Sequence, residues 1–252
     1  MPASAALRLQ IERSLENRIP AALTYAQQRA PDSASTGISQ IDNQLDGGLP
    51  VGAISELTGP ASSGKTTLAI AFLAQRTLDG QVCAWVDVHD ALDPVSAAAS
   101  GLLLPQLLWV RCRESNPRGQ SRPWPRLEQA LRATDLLLQA GGFAAIVLDL
   151  AETKPEHASR IPLATWFRFR QAAHRSRTAL IVLGQETYAQ SSAELVLEFS
   201  VLSPIAEGDQ VLTGFHFEAR RKRMRAFFVL NNKKPPASTW SANAPWEAIQ
   251  RL

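Results

Sequence analysis

The sequence of 252 residues predicts an α/β protein: a mostly parallel, twisted sheet flanked by helices, with antiparallel late strands. Three observations carry this. Apolar runs at QVCAWVDV (81–88), FAAIVLDL (143–150) and TALIVLGQ (178–185) are short and nearly unbroken, as strands buried on both faces are. Helical patterns separate them, and a strand that returns through a helix pairs in parallel. The later runs ELVLEFSVL (194–202), GFHFEARRKR (214–223) and AFFVLN (226–231) follow one another without helices and partly alternate, which suits antiparallel pairing.

The elements follow in order. Leu7, Ile11, Leu15, Ile19 and Leu23 recur at one helical spacing, and Pro20 interrupts that face. PDSASTG (31–37) is a turn-rich linker, so residues 1–34 read as a helical arm and linker. ISQIDNQL (38–45) is a short helix, and AISELTG (53–59) a strand. A helix is expected from about Thr66 to Leu78, a second over 94–101, and a strand at LLWVRC (107–112). SNPRGQSRPWP is a polar loop, followed by helices from Glu128 to Ala140 and over 162–176. Residues 35–231 then form one core, and 232–252, rich in Pro, Ser and Ala, an extended tail.

A hydrophobic fraction of 45% suffices for one sizeable core, and a net charge of +3 is too small by itself to indicate nucleic acid. No run approaches the ~20 apolar residues of a membrane span, and no signal-like stretch opens the chain. Cys83 and Cys112 read as buried free thiols, and no Cys/His group has zinc spacing. A soluble, cytoplasmic protein without membrane partners is expected.

The chemistry concentrates in GPASSGKT (59–66), which fits G-x-x-x-x-G-K-[ST] between a strand and a helix. Gly59, Pro60, Ala61, Ser62 and Ser63 form the loop. Gly64 turns it into the helix, which Lys65, Thr66 and Thr67 open. Glycines let backbone N–H groups point at phosphate, and the helix N-terminus adds partial positive charge. Lys65 supplies a cation to the phosphates, and the Thr66 hydroxyl a ligand for Mg²⁺. Asp149, ending the apolar run AIVLDL, is the expected acidic partner of that metal, holding it through water; its other reading is a helix cap. ATP with Mg²⁺ is the expected cofactor.

These motifs resemble the bacterial RecA family. STG before a short helix, GGLP-x-G, the phosphate loop and CAWVDVHDALDP share that family's order and spacing, and the resemblance runs from about Ser35 to Phe228, thinning after Pro94. It implies a RecA-like nucleotide-binding core. Gln185, ending TALIVLGQ, would sense the γ-phosphate and lead into a DNA-binding loop, and a second such loop would lie in 152–161. Asp93 would meet the adenine amino group. The family carries a water-polarising glutamate where this chain has His89, with Asp90 beside it as a substitute, and a stacking aromatic where it has Ser96. Binding is thus kept in outline while hydrolysis is in question.

Only ETYAQSS separates Gln185 from the next strand, and residues 232–252 alone follow the last one. These shortenings resemble the ImuA branch, which accompanies the polymerase-like ImuB in mutagenic repair. That branch implies a translesion accessory with single-stranded DNA and an ImuB-like subunit or RecA as partners. A minimal recombinase, a DNA-dependent ATPase forming filaments by self-association, is the alternative. The arm from Leu7 to Leu23 and the tail tryptophans Trp240 and Trp246 are candidate contacts for an accessory.

EARRKRMRAF (218–227) is the basic segment. Strand alternation expects Arg221, Arg223 and Arg225 on one face and Arg220 with Lys222 on the other. Contact with a neighbouring subunit's nucleotide, contact with DNA phosphate and a charged edge strand all remain open for it. In WFRFRQAAHRSR (166–177), Trp166, Phe169 and Ala173 have the spacing of a core stripe, leaving Arg168, Arg175 and Arg177 as channel candidates.

Overall fold

The computed structural model describes residues 32–112, 125–207, 211–224 and 237–243. Residues 1–31 of the expected arm and linker (1–34), residues 115–124 of the polar loop, Arg225, the 226–231 run and Trp246 lie outside the described residues.

Eight strands form one sheet in the order β10-β9-β8-β3-β7-β6-β4-β5. These are β3 (Ile54–Thr58), β4 (Cys83–Asp87), β5 (Leu107–Arg111), β6 (Ala145–Asp149), β7 (Ala179–Gly184), β8 (Ala193–Glu207), β9 (Val211–Met224) and β10 (Ala237–Asn243). The six from β8 to β5 run parallel, and β9 and β10 add on antiparallel. A short antiparallel pair, β1 (Ser33–Ala34) and β2 (Leu49–Pro50), precedes them. The helices are α1 (Ser39–Leu45), α2 (Lys65–Leu78), α3 (Pro94–Ala99), α4 (Pro125–Ala140), α5 (Pro155–Ala158) and α6 (Leu163–Ser176). Among the described residues the expected elements appear with ends shifted by a few residues, and the 214–223 run pairs antiparallel with the 194–202 run, as its pattern suggested.

Strand alternation divides the core in two. Leu57, Trp85, Val147 and Ile181 face α1 and α2, whose Ile41, Leu45, Leu68 and Phe72 are fully buried. Ile54, Val86, Ile146 and Val182 face α4 and α6, against Leu127, Ala130, Trp166 and Phe169. Trp166, Phe169 and Ala173 are fully buried, with the two rings edge to face at 6.0 Å, so the aromatic stripe is core. Both cysteines are free and buried, as the apolar run around Cys83 leads one to expect for that residue. No helix among the described residues is long and apolar enough to cross a membrane.

Two expectations are corrected. Residues 237–243 of the expected tail are the sheet's edge strand, paired with β9 from Ala237↔Arg220 to Asn243↔Gly214. Trp240 is 5% exposed and packs on Phe199 and Phe217 at 5.6 and 5.3 Å, so it is a core residue rather than a surface contact. A polar, proline-containing composition concealed it, because β9 offered an open edge and an aromatic pocket that local sequence does not display.

The basic strand is the second. Val196 pairs with Arg223 and Leu197 with Arg221, so Lys222 is the extra residue of a β-bulge. The bulge shifts the alternation by one and sends Arg221 and Arg223 to opposite faces. Arg221 donates to the Gln44 carbonyl on the α1 side at 3.3 Å, whereas Arg223 donates to the Gln190 carbonyl across the sheet.

Candidate nucleotide site

The strands' carboxyl ends carry the site. β3 lies between β7 and β8, and its chain leaves through the phosphate loop into α2 before returning two strands beyond β7. A chain that departs in opposite directions from neighbouring strands opens a crevice there, the usual ligand position in such sheets.

The loop is wound tightly. Gly59 has φ +148°, and a Cβ there would meet the Phe199 carbonyl oxygen at 2.5 Å. Gly64 has φ +91° and its added Cβ would meet the Phe217 ring at 2.8 Å. Ser62 is left-handed at φ +58°, while the buried Ser63 Oγ has no hydrogen-bond partner among the described residues. Pro60, Ala61 and Ser62 are exposed on the outer curve. Lys65, 3% exposed, opens the 14-residue helix α2. Its Nζ donates to the carbonyls of Gly59 at 3.1 Å and Pro60 at 2.7 Å. Burial lowers the Lys65 pKa, and the charge of Asp149 partly opposes this. Thr66 is half-buried and Thr67 exposed on the first helical turn.

Asp149 ends β6, buried, and accepts the Ala151 N–H at 3.0 Å. Burial pushes its carboxyl up to about 6, against the pull of that N–H and of Lys65. Asp87, its register partner at the end of β4, is fully committed: it accepts from the N–H groups of Ala91 and Leu92 at 3.0 Å each and from Trp109 Nε1 at 3.2 Å. It holds the turn that presents His89 and Asp90. A loop of tight glycines, an unpartnered buried hydroxyl, a lysine and a neighbouring carboxylate fits a nucleotide triphosphate with Mg²⁺.

The structure treats the remaining assigned residues unequally. His89 is half-buried, its Nε2 3.0 Å from Thr153 Oγ1, and burial lowers its pKa. Asp90, at φ +62°, turns outward to Arg111 through two hydrogen bonds of 2.5 Å. Gln185, exposed at the end of β7, donates from Nε2 to the Ala151 carbonyl at 3.1 Å, which joins it to the segment that follows Asp149. Asp93 caps α3, accepting from the N–H groups of Val95 and Ser96 at 3.1 and 3.2 Å and from the Ser96 hydroxyl. The residue at the expected stacking position therefore bonds to the residue expected at the adenine.

Elsewhere the geometry redistributes the cations. Arg177, which precedes β7 at the opposite end of the strands from the phosphate loop, pairs with Asp32. Arg168 pairs with Asp135 of α4 at 3.0 Å. On β9, Arg220 and Lys222 are about half exposed and pair with Glu218 and Glu198 at 3.4 and 2.8 Å. No group of three His, Cys, Asp or Glu among the described residues has the arrangement of a metal centre. Glu56 escaped the sequence reading. It is fully buried in β3 and accepts the N–H groups of Tyr188 and Ala189 at 2.6 and 2.8 Å; a lone acid inside AISELTG was its signal.

Comparison with known proteins agrees with this geometry. A family model described as RecA N-terminal domain matches residues 3–158. Protein RecA of Allorhizobium ampelinum is 43% identical over 119 residues, which is 47% of this chain and 30% of that protein. Protein RecA of Colwellia psychrerythraea is 40% identical over 119 residues, 47% of this chain and 31% of that protein. The match thus spans about a third of each curated relative. A crystal structure of the RadB recombinase superposes with a TM-score of 0.57 at 20% identity, covering 82% of this chain and 94% of that one, which shows the shared fold.

Proposed function

From a chain that belongs to the RecA N-terminal domain family, we propose an ATP- and DNA-binding protein of the damage response, an ImuA-type accessory that supports translesion synthesis. The observation that carries the accessory reading is the state of the water-activating position. The family resemblance calls for a carboxylate there. This chain offers His89, engaged with Thr153, and Asp90, held outward by Arg111. Neither presents a free carboxylate to a water at the γ-phosphate, and general-base catalysis requires that reach.

The binding side is better equipped. The loop backbone and the α2 N-terminus would take the phosphates, Lys65 would neutralise them, and Thr66 and Asp149 would hold Mg²⁺. The metal, when bound, supplies charge neutralisation along the phosphate chain. Gln185, hydrogen-bonded to Ala151 two residues beyond Asp149, would report the γ-phosphate to the 186–192 segment. In this reading ATP is a ligand that sets a conformation. The conformation is read by single-stranded DNA and by a protein partner, an ImuB-like polymerase subunit or RecA.

The retention of Lys65 in the phosphate loop and of Asp149 at the end of β6, close enough for its charge to act on the lysine, favours the second reading, a minimal recombinase that hydrolyses ATP on single-stranded DNA and self-associates. Steady-state ATP turnover with Mg²⁺, with and without single-stranded DNA, separates the two, with Lys65→Ala as background. The accessory reading expects nucleotide binding that Lys65→Ala abolishes, and turnover no higher than that variant's. DNA-stimulated turnover that vanishes in Lys65→Ala would replace it with the recombinase reading.

A further inference from the structure

We propose that Glu56 and Arg223 form a two-point clamp on the turn at Tyr188–Gln190, which positions Gln185 over the nucleotide site and ties it to the basic strand β9. The inference deepens the role proposed above for Gln185 and rests on it for its functional consequence.

The geometry begins with register. Val182 of β7, Glu56 of β3, Val196 of β8 and Arg223 of β9 stand in one row across four adjacent strands, on the face toward α6. Glu56 is the only acid in that row. It lies two residues before Thr58, where β3 gives way to the phosphate loop. Its Oε1 takes both the Tyr188 and Ala189 N–H groups at 2.6 and 2.8 Å, and its Oε2 accepts no hydrogen bond among the described residues. A buried carboxylate is tolerated where charge-assisted bonds and a nearby cation support it. Burial raises the Glu56 pKa, the two amides and then the charge of Arg223 oppose that rise, and Arg223 donates to the Gln190 carbonyl, the next link of the same turn.

The segment shows how firmly it is held. Gln190 sits at φ +43°, a left-handed backbone that a non-glycine residue keeps only when its surroundings impose it. Tyr188 is 4% exposed and lies so close over Gly184 that a Cβ there would meet its ring at 2.7 Å. Gln185 stands between that packed glycine and the clamped amides, so its backbone direction is set from both sides. The bulge at Lys222 matters here, because without it Arg223 would face α1 and lie across the sheet from Glu56. A partner or nucleic acid drawing on β9 would thus be felt at the turn that places Gln185.

Amide hydrogen exchange of the full chain tests the clamp directly. In Glu56→Ala the Tyr188 and Ala189 amides should exchange at least 100-fold faster, while amides of β3 and β7 stay within threefold of the parent. Glu56→Gln keeps an acceptor oxygen and should keep protection within tenfold. Arg223→Met, on a half-buried position, should raise exchange at the same two amides at least tenfold and is informative even if Glu56→Ala does not fold. Unchanged protection of Tyr188 and Ala189 in Arg223→Met, or faster exchange spread evenly over the sheet in Glu56→Ala, overturns the proposal. The functional arm is the ratio of ATP to ADP affinity, which should fall toward one in Glu56→Ala and be restored in Glu56→Gln. A parent protein that binds neither nucleotide would sink the nucleotide reading alone, since the exchange pattern still decides the clamp.

Discussion

Asp90 and Arg111 join the turn after β4 to the end of β5 by two parallel hydrogen bonds, Nε to Oδ1 and Nη2 to Oδ2, each 2.5 Å long. The guanidinium also lies over the Trp109 ring, 4.8 Å from its centroid. The acid beside His89 is therefore directed along the sheet's edge. Asp90→Asn should leave ATP affinity and turnover within twofold of the parent. A loss of turnover of 100-fold or more would mean that Asp90 leaves Arg111 during the reaction and serves as the base.

His89→Glu should act in the opposite direction. It restores the carboxylate that the family resemblance places there, in a pocket where Thr153 is already within hydrogen-bond reach of the side chain. General-base catalysis contributes roughly 10²–10⁴-fold, so a gain of at least tenfold in DNA-dependent turnover is expected. Turnover that stays at the Lys65→Ala background would show that the site is deficient beyond this one residue.

His89 also carries a pH signature. Burial lowers its pKa below the usual 6.5, with Glu152 and Asp87 opposing and Arg126 reinforcing the shift. The unfolded chain then takes up a proton at a pH where the folded chain does not. The resulting stability is fully present above about pH 6.5 and falls as pH drops through the folded pKa. Denaturation of His89→Gln between pH 5 and 7.5 should show a flatter dependence than the parent. Parallel curves would mean that other groups set the slope.

Trp240 predicts that residues outside the expected core support the phosphate loop. It stacks on Phe217, which in turn closes over Gly64. Trp240→Ala should cost about 3–5 kcal/mol, the usual range for emptying a buried aromatic site. Nucleotide affinity should weaken with it, because Phe217 loses its backing. Thermal denaturation and nucleotide titration measure both; a shift in melting temperature under 2 °C would contradict the packing.

For nucleic acid, the exposed cations of β9 are Arg220 and Lys222, since Arg221 and Arg223 are turned onto backbone carbonyls. If β9 meets single-stranded DNA, replacing Arg220 and Lys222 by alanine should lower the salt slope of binding by about 0.7 for each phosphate no longer neutralised. Arg221→Ala should instead lower stability with little change in slope. An unaltered slope in the double variant would move the DNA-binding surface to the 152–161 or 186–192 segments.

Much of the site was legible along the chain because its chemistry is local. The phosphate loop, its helix and the apolar strand ending in Asp149 each declare themselves within a few consecutive residues, where spacing and backbone freedom suffice. Alternating apolar strands and helical stripes likewise determined the fold class, since burial on both faces and parallel return are properties of pattern. What tertiary structure decided depends on partners distant in sequence. Lys222 becomes a bulge only because β8 pairs with β9 in one register, and that single residue parts Arg221 from Arg223. Trp240 becomes core only because β9 leaves an edge to cover. Asp90 is turned aside by an arginine at position 111, and Glu56 is made tolerable by amides at 188 and 189. Sequence carries the propensity of each segment, whereas the direction of a side chain at a strand's end is set by what the neighbouring strand places opposite it.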